Sequence, residues 1–104
     1  MPALVVLTTT PDLKAAKVLA KLLVLKKAAA CVSFREGFTS FYSEHGKMEE
    51  SHETMLFVKT TQRKFSKVQN LIQRNHPYVV PEILAIPVVR GSAQYLSWLS
   101  KFLK

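Results

Sequence analysis

The chain has 104 residues, a formal net charge of +8 and a hydrophobic fraction of 48%. These values describe one compact globular domain over residues 1–104 and exclude a disordered or fibrous protein. The single cysteine, Cys31, excludes an internal disulfide and favours a reducing, cytoplasmic compartment. The N-terminal residues have no signal-peptide pattern, and no apolar run is long enough to cross a membrane.

The first part of the chain predicts a strand, a helix and a second strand. Residues 3–9 form a continuous apolar, β-branched run, which is typical of a strand buried on both faces. We expect a helix to follow, with Thr10 as its cap and its end near Lys27. Residues 29–44 then read as a second strand, in which Gly37 suggests a bulge.

The second part predicts a hairpin return, a helix, an edge strand and a last helix. A two-residue turn at 45–46 leads into a third strand over 47–59. Thr60 or Thr61 is expected to cap the second helix, whose apolar residues follow the 3.6-residue period. The segment 83–89 predicts a fourth strand. Its Pro87 favours a sheet edge, and an amphipathic helix follows Gly91-Ser92. The order βαββαβ plus a helix predicts an α+β fold of the ferredoxin-like plan.

The predicted hairpin over 31–59 is too long for a compact monomer. Arms of about fourteen residues reach roughly 45 Å at about 3.3 Å per residue, whereas a compact chain of this size is roughly 33 Å across. The tip should therefore overhang the body and expose Phe38, Phe41 and Tyr42, which is an aggregation hazard unless a partner strand covers them. We expect an obligate oligomer assembled through these hairpins.

Several motifs occur in one order and spacing between Val5 and Trp98: "TPD", "AACV", "G-x-T-S-x-Y", "GKMEE", "KTT", "HPYVVPEILAIPV" and "G-x-x-x-YLSW". In these motifs the chain resembles the CutA family of divalent-cation tolerance proteins. The resemblance implies a tight homotrimer, built like the PII signalling proteins, with strands pairing across subunits. It also implies divalent-metal binding, copper above all, and no established catalytic reaction. In animals, members of the family are linked to the folding and membrane anchoring of acetylcholinesterase.

The resemblance carries over Cys31, His76 and Glu82 as candidate ligands of a copper or zinc ion, with Lys59 and Tyr78 in the same cleft between subunits. The residues by themselves also allow simpler roles, since a free cysteine is often a small buried hydrophobe and a histidine can cap a helix end. Burial of the Glu82 carboxylate at the end of the sheet would require a partner, and Lys59 or a tyrosine hydroxyl could provide one. The cleft suits a metal, a small anionic ligand or an interfacial hydrogen-bond network.

Rival functions can be compared on the same residues. A nucleic-acid-binding ferredoxin-like module would suit the positive charge, but the third strand lacks the glycine and the aromatic pair that stack RNA bases. The lysines at 14, 17 and 21 fit a solvated helix face, so the sequence argues against nucleic acid as a partner. An acylphosphatase-like hydrolase needs a glycine-rich anion cradle, which the sequence lacks. We therefore expect a non-enzymatic, metal-binding homotrimer, with a purely structural or assembly trimer as the alternative.

Overall fold

A computed structural model of the chain describes residues 2–104. Over these residues the elements are β1 (Ala3–Thr10), α1 (Leu13–Leu25), β2 (Cys31–Glu44), β3 (Lys47–Thr61), a 3₁₀ turn (Gln62–Lys64), α2 (Phe65–Asn75), β4 (Leu84–Pro87) and α3 (Ala93–Phe102). The strands form one antiparallel sheet in the order β2-β3-β1-β4. The predicted ferredoxin-like order with a C-terminal helix is therefore confirmed, and β4 lies at the sheet edge, as Pro87 indicated.

The main core lies between the sheet and the two helices α1 and α2. Every second residue of β1 and β3 points to this side of the sheet, where it meets the apolar stripes of both helices. The buried cluster includes Val6, Leu19, Leu23, Leu56, Val58, Val68 and Ile72. These side chains are at most 2% exposed. No helix within residues 2–104 has the length and apolar character needed to cross a membrane.

Both ends of α1 differ from the prediction. The cap is Asp12 and not Thr10, because the Asp12 carboxylate accepts a hydrogen bond from the Ala15 N–H at 2.8 Å. The Thr10 hydroxyl instead donates to the backbone oxygen of Asp12 at 2.8 Å. Lys27, the predicted end, lies outside the helix because its φ of 56° is the left-handed conformation that ends many helices.

The strands β2 and β4 are shorter than predicted. The start of β2 is delayed because the Ala29 N–H still bonds to the Leu23 carbonyl at 3.1 Å, closing the turn after α1. The prediction of 83–89 for β4 extends too far at both ends. This strand stops at Pro87, whose partner Leu4 is the second residue of β1, so little of the neighbouring strand remains to pair with.

The second helix begins through the 3₁₀ turn rather than through a threonine cap. Thr61 precedes that turn, but its side chain makes no capping hydrogen bond. Thr60 is the penultimate residue of β3, and its hydroxyl donates to the Ala28 carbonyl at 2.7 Å. Neither of the two predicted side chains therefore caps the helix.

The predicted bulge and turn of the long hairpin are both present. Gly37 has a φ of 90°, and the β2–β3 register shifts between Arg35 and Phe38. At the tip, His45 and Gly46 have φ values of 54° and 76°, the pair of positive angles that a two-residue type I′ turn requires. The sequence therefore predicted both features of backbone geometry.

The hairpin overhangs the rest of the sheet, as its length predicted. β1 pairs with β3 only as far as Thr10 opposite Thr54. Beyond that point, in the described chain, the residues from Phe38 to Glu53 pair only with each other. We call residues 38–53 the overhang. The overhang contains seven residues of β2 and is therefore about 23 Å long at about 3.3 Å per residue. The whole molecule measures 45 × 26 × 22 Å.

The side of the sheet opposite α1 and α2 is only partly covered, and we call it the open sheet face. α3 packs on one end of it through Leu99 and Leu103. Two cross-strand rows lie on the same face: Ile86–Val5–Lys59–Cys31 and Leu84–Leu7–Phe57–Ser33. Leu84 and Ile86 are 56% and 48% exposed. The second row in particular presents an apolar surface without a layer of secondary structure over it.

Candidate metal and ligand site

A cavity of about 870 Å³ lies between the overhang and the segment 76–83, which we call the connector. Its aromatic and acidic lining residues are Phe41, Tyr42, Tyr78, Glu44, Glu53 and Glu82. The connector is held extended by Pro77 and Pro81, and the overhang stands beside it because β2 and β3 extend past β1. Three of the seven acidic residues of this basic chain thus line one cavity.

Glu53 is the acceptor that ties the connector to the base of the overhang. Its carboxylate accepts the Tyr78 hydroxyl at 3.0 Å and the Thr9 hydroxyl at 3.4 Å. Burial, followed by the hydrogen bond to Glu53 and the charge of that carboxylate, raises the pKa of Tyr78 to about 12. Tyr78 is therefore a neutral donor at neutral pH and fixes the position of the carboxylate.

The His76 side chain is held by two hydrogen bonds. Its Nδ1 accepts the Tyr78 backbone N–H at 3.0 Å, so Nδ1 carries no proton. Its Nε2 then carries the proton and donates it to the Thr9 carbonyl. Both ring nitrogens are thus used in packing the end of α2 against the end of β1. A metal ion on His76 would have to replace one of these hydrogen bonds.

Glu82 lines the cavity as an exposed side chain. Neither expected partner contacts it, because the Tyr78 hydroxyl bonds to Glu53 and the Lys59 ammonium donates to Ser33 Oγ at 2.7 Å. Within residues 2–104, the Glu82 carboxylate makes no hydrogen bond of the kind that Glu53 makes and no ion pair of the kind that Glu50 makes with His52. The Glu82 carboxylate is therefore exposed in the single chain and does not need the partner that burial would require.

Cys31 lies on the open sheet face, at the end away from the cavity and from His76. Its Sγ is 3.9 Å from the Lys59 Nζ and 4.0 Å from Ser33 Oγ, and its side chain is half-buried. His76 contacts Thr9, which pairs with Met55 of β3, whereas Cys31 pairs with Lys59. Four residues along β3 span about 13 Å, so Cys31 and His76 are far apart within one chain.

The single chain does not bring the predicted ligands together. Within residues 2–104, no group of three His, Cys, Asp or Glu side chains is arranged to hold a metal ion. A closed copper or zinc site needs three or four such donors converging on one point. The residues of the single chain that the structure describes therefore do not fit a complete site, and the role of Cys31, His76 and Glu82 as ligands stays a prediction.

The predicted interface residues of the hairpin lie on the overhang. Phe41 and Tyr42 are 66% and 44% exposed, while Phe38, next to the bulge, is half-buried. The Tyr42 hydroxyl bonds to Ser51 Oγ at 2.9 Å across the strands.

Sequence reasoning missed Glu53 as the central acceptor. The period-two pattern of β3 was the available signal, because it places residues 53, 55, 57 and 59 on the open sheet face.

The four-stranded antiparallel sheet, two helices on one face and the long hairpin define an α+β protein of the ferredoxin-like plan. The family profile described as CutA1 divalent ion tolerance protein matches residues 4–101. The chain belongs to this CutA family.

Named relatives are similar over nearly the whole chain. The divalent-cation tolerance protein CutA of Thermus thermophilus is 44% identical over 95 residues, which are 91% of this chain and 92% of that protein. The chloroplastic protein CutA of Arabidopsis thaliana is 39% identical over 99 residues, which are 95% of this chain and 54% of that protein. The solved structure of a periplasmic divalent cation tolerance protein CutA from Archaeoglobus fulgidus has a TM-score of 0.95 at 35% identity, covering 98% of this chain and 99% of that one.

Proposed function

We propose that this divalent-cation tolerance family member acts as a homotrimer, without catalysis, and binds divalent cations between its subunits. The observation that carries the proposal is the presence of two different uncovered apolar surfaces on one chain. One is the overhang, where Phe41 and Met48 are 66% and 75% exposed. The other is the connector with β4, where Val79 and Val80 are 99% and 86% exposed.

Two unlike surfaces favour head-to-tail association rather than a two-fold dimer. A two-fold axis pairs each surface with itself, whereas a head-to-tail contact closes into a ring when the rotation suits. β4 is an edge strand with backbone groups free to pair, and the overhang of a second copy supplies a strand of the right length. The family resemblance implies a ring of three.

The proposed metal site follows from the same contact. Glu44, Glu53 and Glu82 line the cavity where an overhang from another subunit would pack, so carboxylates of two subunits would meet there. Among residues 2–104, no hydrogen bond or ion pair of the Glu82 carboxylate has to be broken, and the Cys31 thiol offers copper or zinc a softer ligand. His76 contributes mainly by holding Thr9 and Tyr78 in place.

A structural or assembly trimer without a metal role is the second candidate. The observation that favours it is the state of the His76 ring, whose two nitrogens are both used in hydrogen bonds.

The cytoplasmic location suggested by the single cysteine is also a proposal, because the relatives named above include a chloroplastic and a periplasmic protein.

Light scattering after size exclusion tests the association. We expect a mass of about three times the 11.8 kDa of the chain. Phe41→Asp should dissociate the trimer, because it places a charge in the apolar contact. Ser66→Asp, which adds the same charge at a polar exposed position of α2, away from the overhang and the connector, is the matched control and should leave the mass unchanged. A monomeric wild type would contradict the proposal.

Calorimetry with Cu(II) and Zn(II) tests the metal role in the assembled protein. Glu82→Gln and Cys31→Ser should each weaken binding by at least about tenfold, the usual result of losing one ligand or its support. Glu36→Gln removes a carboxylate that does not line the cavity and serves as the control. If the trimer forms but all of these proteins bind metal alike, the assembly role is correct and the metal site proposed here is wrong.

A further inference from the structure

The charges of this chain are strongly segregated. Residues 36–53, which form most of the hairpin, carry five acidic side chains and one lysine, a net charge of −4. The remaining residues carry fourteen basic and two acidic side chains, a net charge of +12. The overall charge of +8 therefore understates the positive field around the rest of the molecule.

Much of the positive charge lies on the outer side of the layer formed by α1, the 3₁₀ turn and α2. Neither helix contains an acidic residue. The exposed cations of this layer are Lys14, Lys17, Lys21, Arg63, Lys67 and Arg74. Because both helices pack on the same side of the sheet, these side chains belong to one surface, which we call the basic helix face.

The cations of the basic helix face have no internal counter-charge. Within residues 2–104, the only ion pair joins His52 to Glu50, so no lysine or arginine lies within 4.0 Å of a carboxylate. A helix face that is merely solvated usually carries both signs at a spacing of three or four residues, because such pairs stabilise the helix. Charges of one sign on two adjacent helices instead attract a polyanion.

The neutral side chains on α2 indicate which polyanion fits. Ser66, Asn70 and Gln73 are exposed among the cations and can hydrogen-bond to phosphate and sugar oxygens. Neither helix exposes an aromatic ring on which an unpaired base could stack, since α1 has none and Phe65 is packed against the core. The open sheet face lies on the other side of the sheet and is a separate surface, so the missing RNA-stacking pattern on β3 does not bear on this one.

We propose that the basic helix face binds the phosphate backbone of duplex DNA without reading the base sequence. The thirteen residues of α1 extend about 20 Å at about 1.5 Å per residue. Duplex DNA carries one charge per about 1.7 Å of axis, hence about twelve phosphates over this length, of which roughly half face one side. Six exposed cations match that number. The surface lies on the side of the sheet away from the open face, so the inference does not depend on the trimer.

Fluorescence anisotropy with a labelled 20-base-pair duplex tests this inference. We expect the logarithm of the binding constant to fall with the logarithm of the salt concentration with a slope of about −4 to −5, as about five phosphate contacts require. The triple variant Lys17→Gln, Lys21→Gln and Lys67→Gln should reduce the steepness of that slope by about 3 and weaken binding at 50 mM salt by on the order of 100-fold.

A control variant with the same net charge distinguishes binding at the basic helix face from attraction by the total charge of the protein. Lys47→Gln, Arg90→Gln and Lys104→Gln remove three exposed cations that lie outside the basic helix face. This variant should bind the duplex within about threefold of the wild type. Equal losses in the two triple variants, or no binding by the wild type at 50 mM salt, would overturn the proposal.

Two further probes exclude other anionic partners. A single strand of the same length should bind more weakly than the duplex, and equal binding would contradict the absence of stacking. Val18 and Leu25 of α1 are 61% and 79% exposed, which could suit an anionic membrane surface. Tighter binding to phosphatidylserine-containing vesicles than to the duplex, lost in Val18→Ser with Leu25→Ser, would assign the face to a membrane and overturn the proposal.

Discussion

The helix-covered half of the sheet and the overhang with its neighbouring connector are built on different principles. In the first, Leu23, Leu56 and Ile72 are fully buried by the chain's own helices. In the second, Phe41 and Val79 are mostly exposed, and the strands of the overhang pair only with each other in the described chain. The contrast distinguishes a part that is stabilised within the chain from a part that a second copy would cover in the proposed trimer.

The largest loss of stability is expected from removing core volume in the helix-covered half. Leu23→Ala should lower the free energy of unfolding by about 2–5 kcal/mol at every protein concentration, because it leaves a cavity in the core. Phe41→Ala should lower mainly the concentration-dependent part of the stability, because the Phe41 side chain is 66% exposed in the single chain. Chemical denaturation at two protein concentrations measures both. If the two variants respond alike to concentration, the contrast between the halves is wrong.

Buried threonines give a second and finer test of the covered half. Thr60 donates its hydroxyl to the Ala28 carbonyl at 2.7 Å, so Thr60→Val should cost about 1–3 kcal/mol by leaving that buried carbonyl without its donor. Thr8 is equally buried, but its hydroxyl has no hydrogen-bond partner in residues 2–104. Thr8→Val has nearly the same shape and should be neutral or stabilising. Thermal denaturation of the two variants provides a matched comparison.

The helix cap contributes less. Asp12→Ala should destabilise the chain by about 1 kcal/mol, because the N–H of Ala15 then loses its acceptor. Asp12→Asn retains an acceptor oxygen at the same position and is the control. Equal destabilisation by both substitutions in urea unfolding would mean that the carboxylate acts through its charge on the helix dipole and not through this hydrogen bond.

The sequence predicted the features that depend on local chemistry. Gly37 at the bulge, the turn at 45–46 and Pro87 on the edge strand each follow from a backbone angle or a missing N–H that the residue type itself dictates. The prediction of Thr10 as the cap was wrong because threonine and aspartate can both cap a helix and only the geometry decides which one does.

The candidate site was less predictable because its bonds join distant parts of the sequence. His76 and Thr9 are 67 residues apart, and Tyr78 and Glu53 are 25 residues apart. No local pattern encodes such contacts, because they result from the sheet register and from the path of the connector. The motif around His76 therefore identified the family but not the partners of its side chains.

The smallest expected effect concerns Tyr78, which joins the connector to the overhang by its bond to Glu53 at 3.0 Å. Burial and Glu53 raise the pKa of Tyr78 to about 12, whereas the unfolded value is about 10. The raised value means that the folded chain keeps a proton that the unfolded chain releases. This contribution to stability is therefore complete below pH 10 and is lost as the pH rises from 10 to 12.

Tyr78→Phe isolates that contribution. It removes the titrating hydroxyl, so the stability of the variant should fall less steeply between pH 10 and 12 than that of the wild type. Part of the slope should remain, because burial and the negative charge of Cys31 also raise the pKa of Tyr95. Tyr42→Phe removes a hydroxyl bonded to Ser51 within the overhang and is the control. Identical pH profiles for Tyr78→Phe and the wild type would show that the connector is not held to the overhang through Glu53.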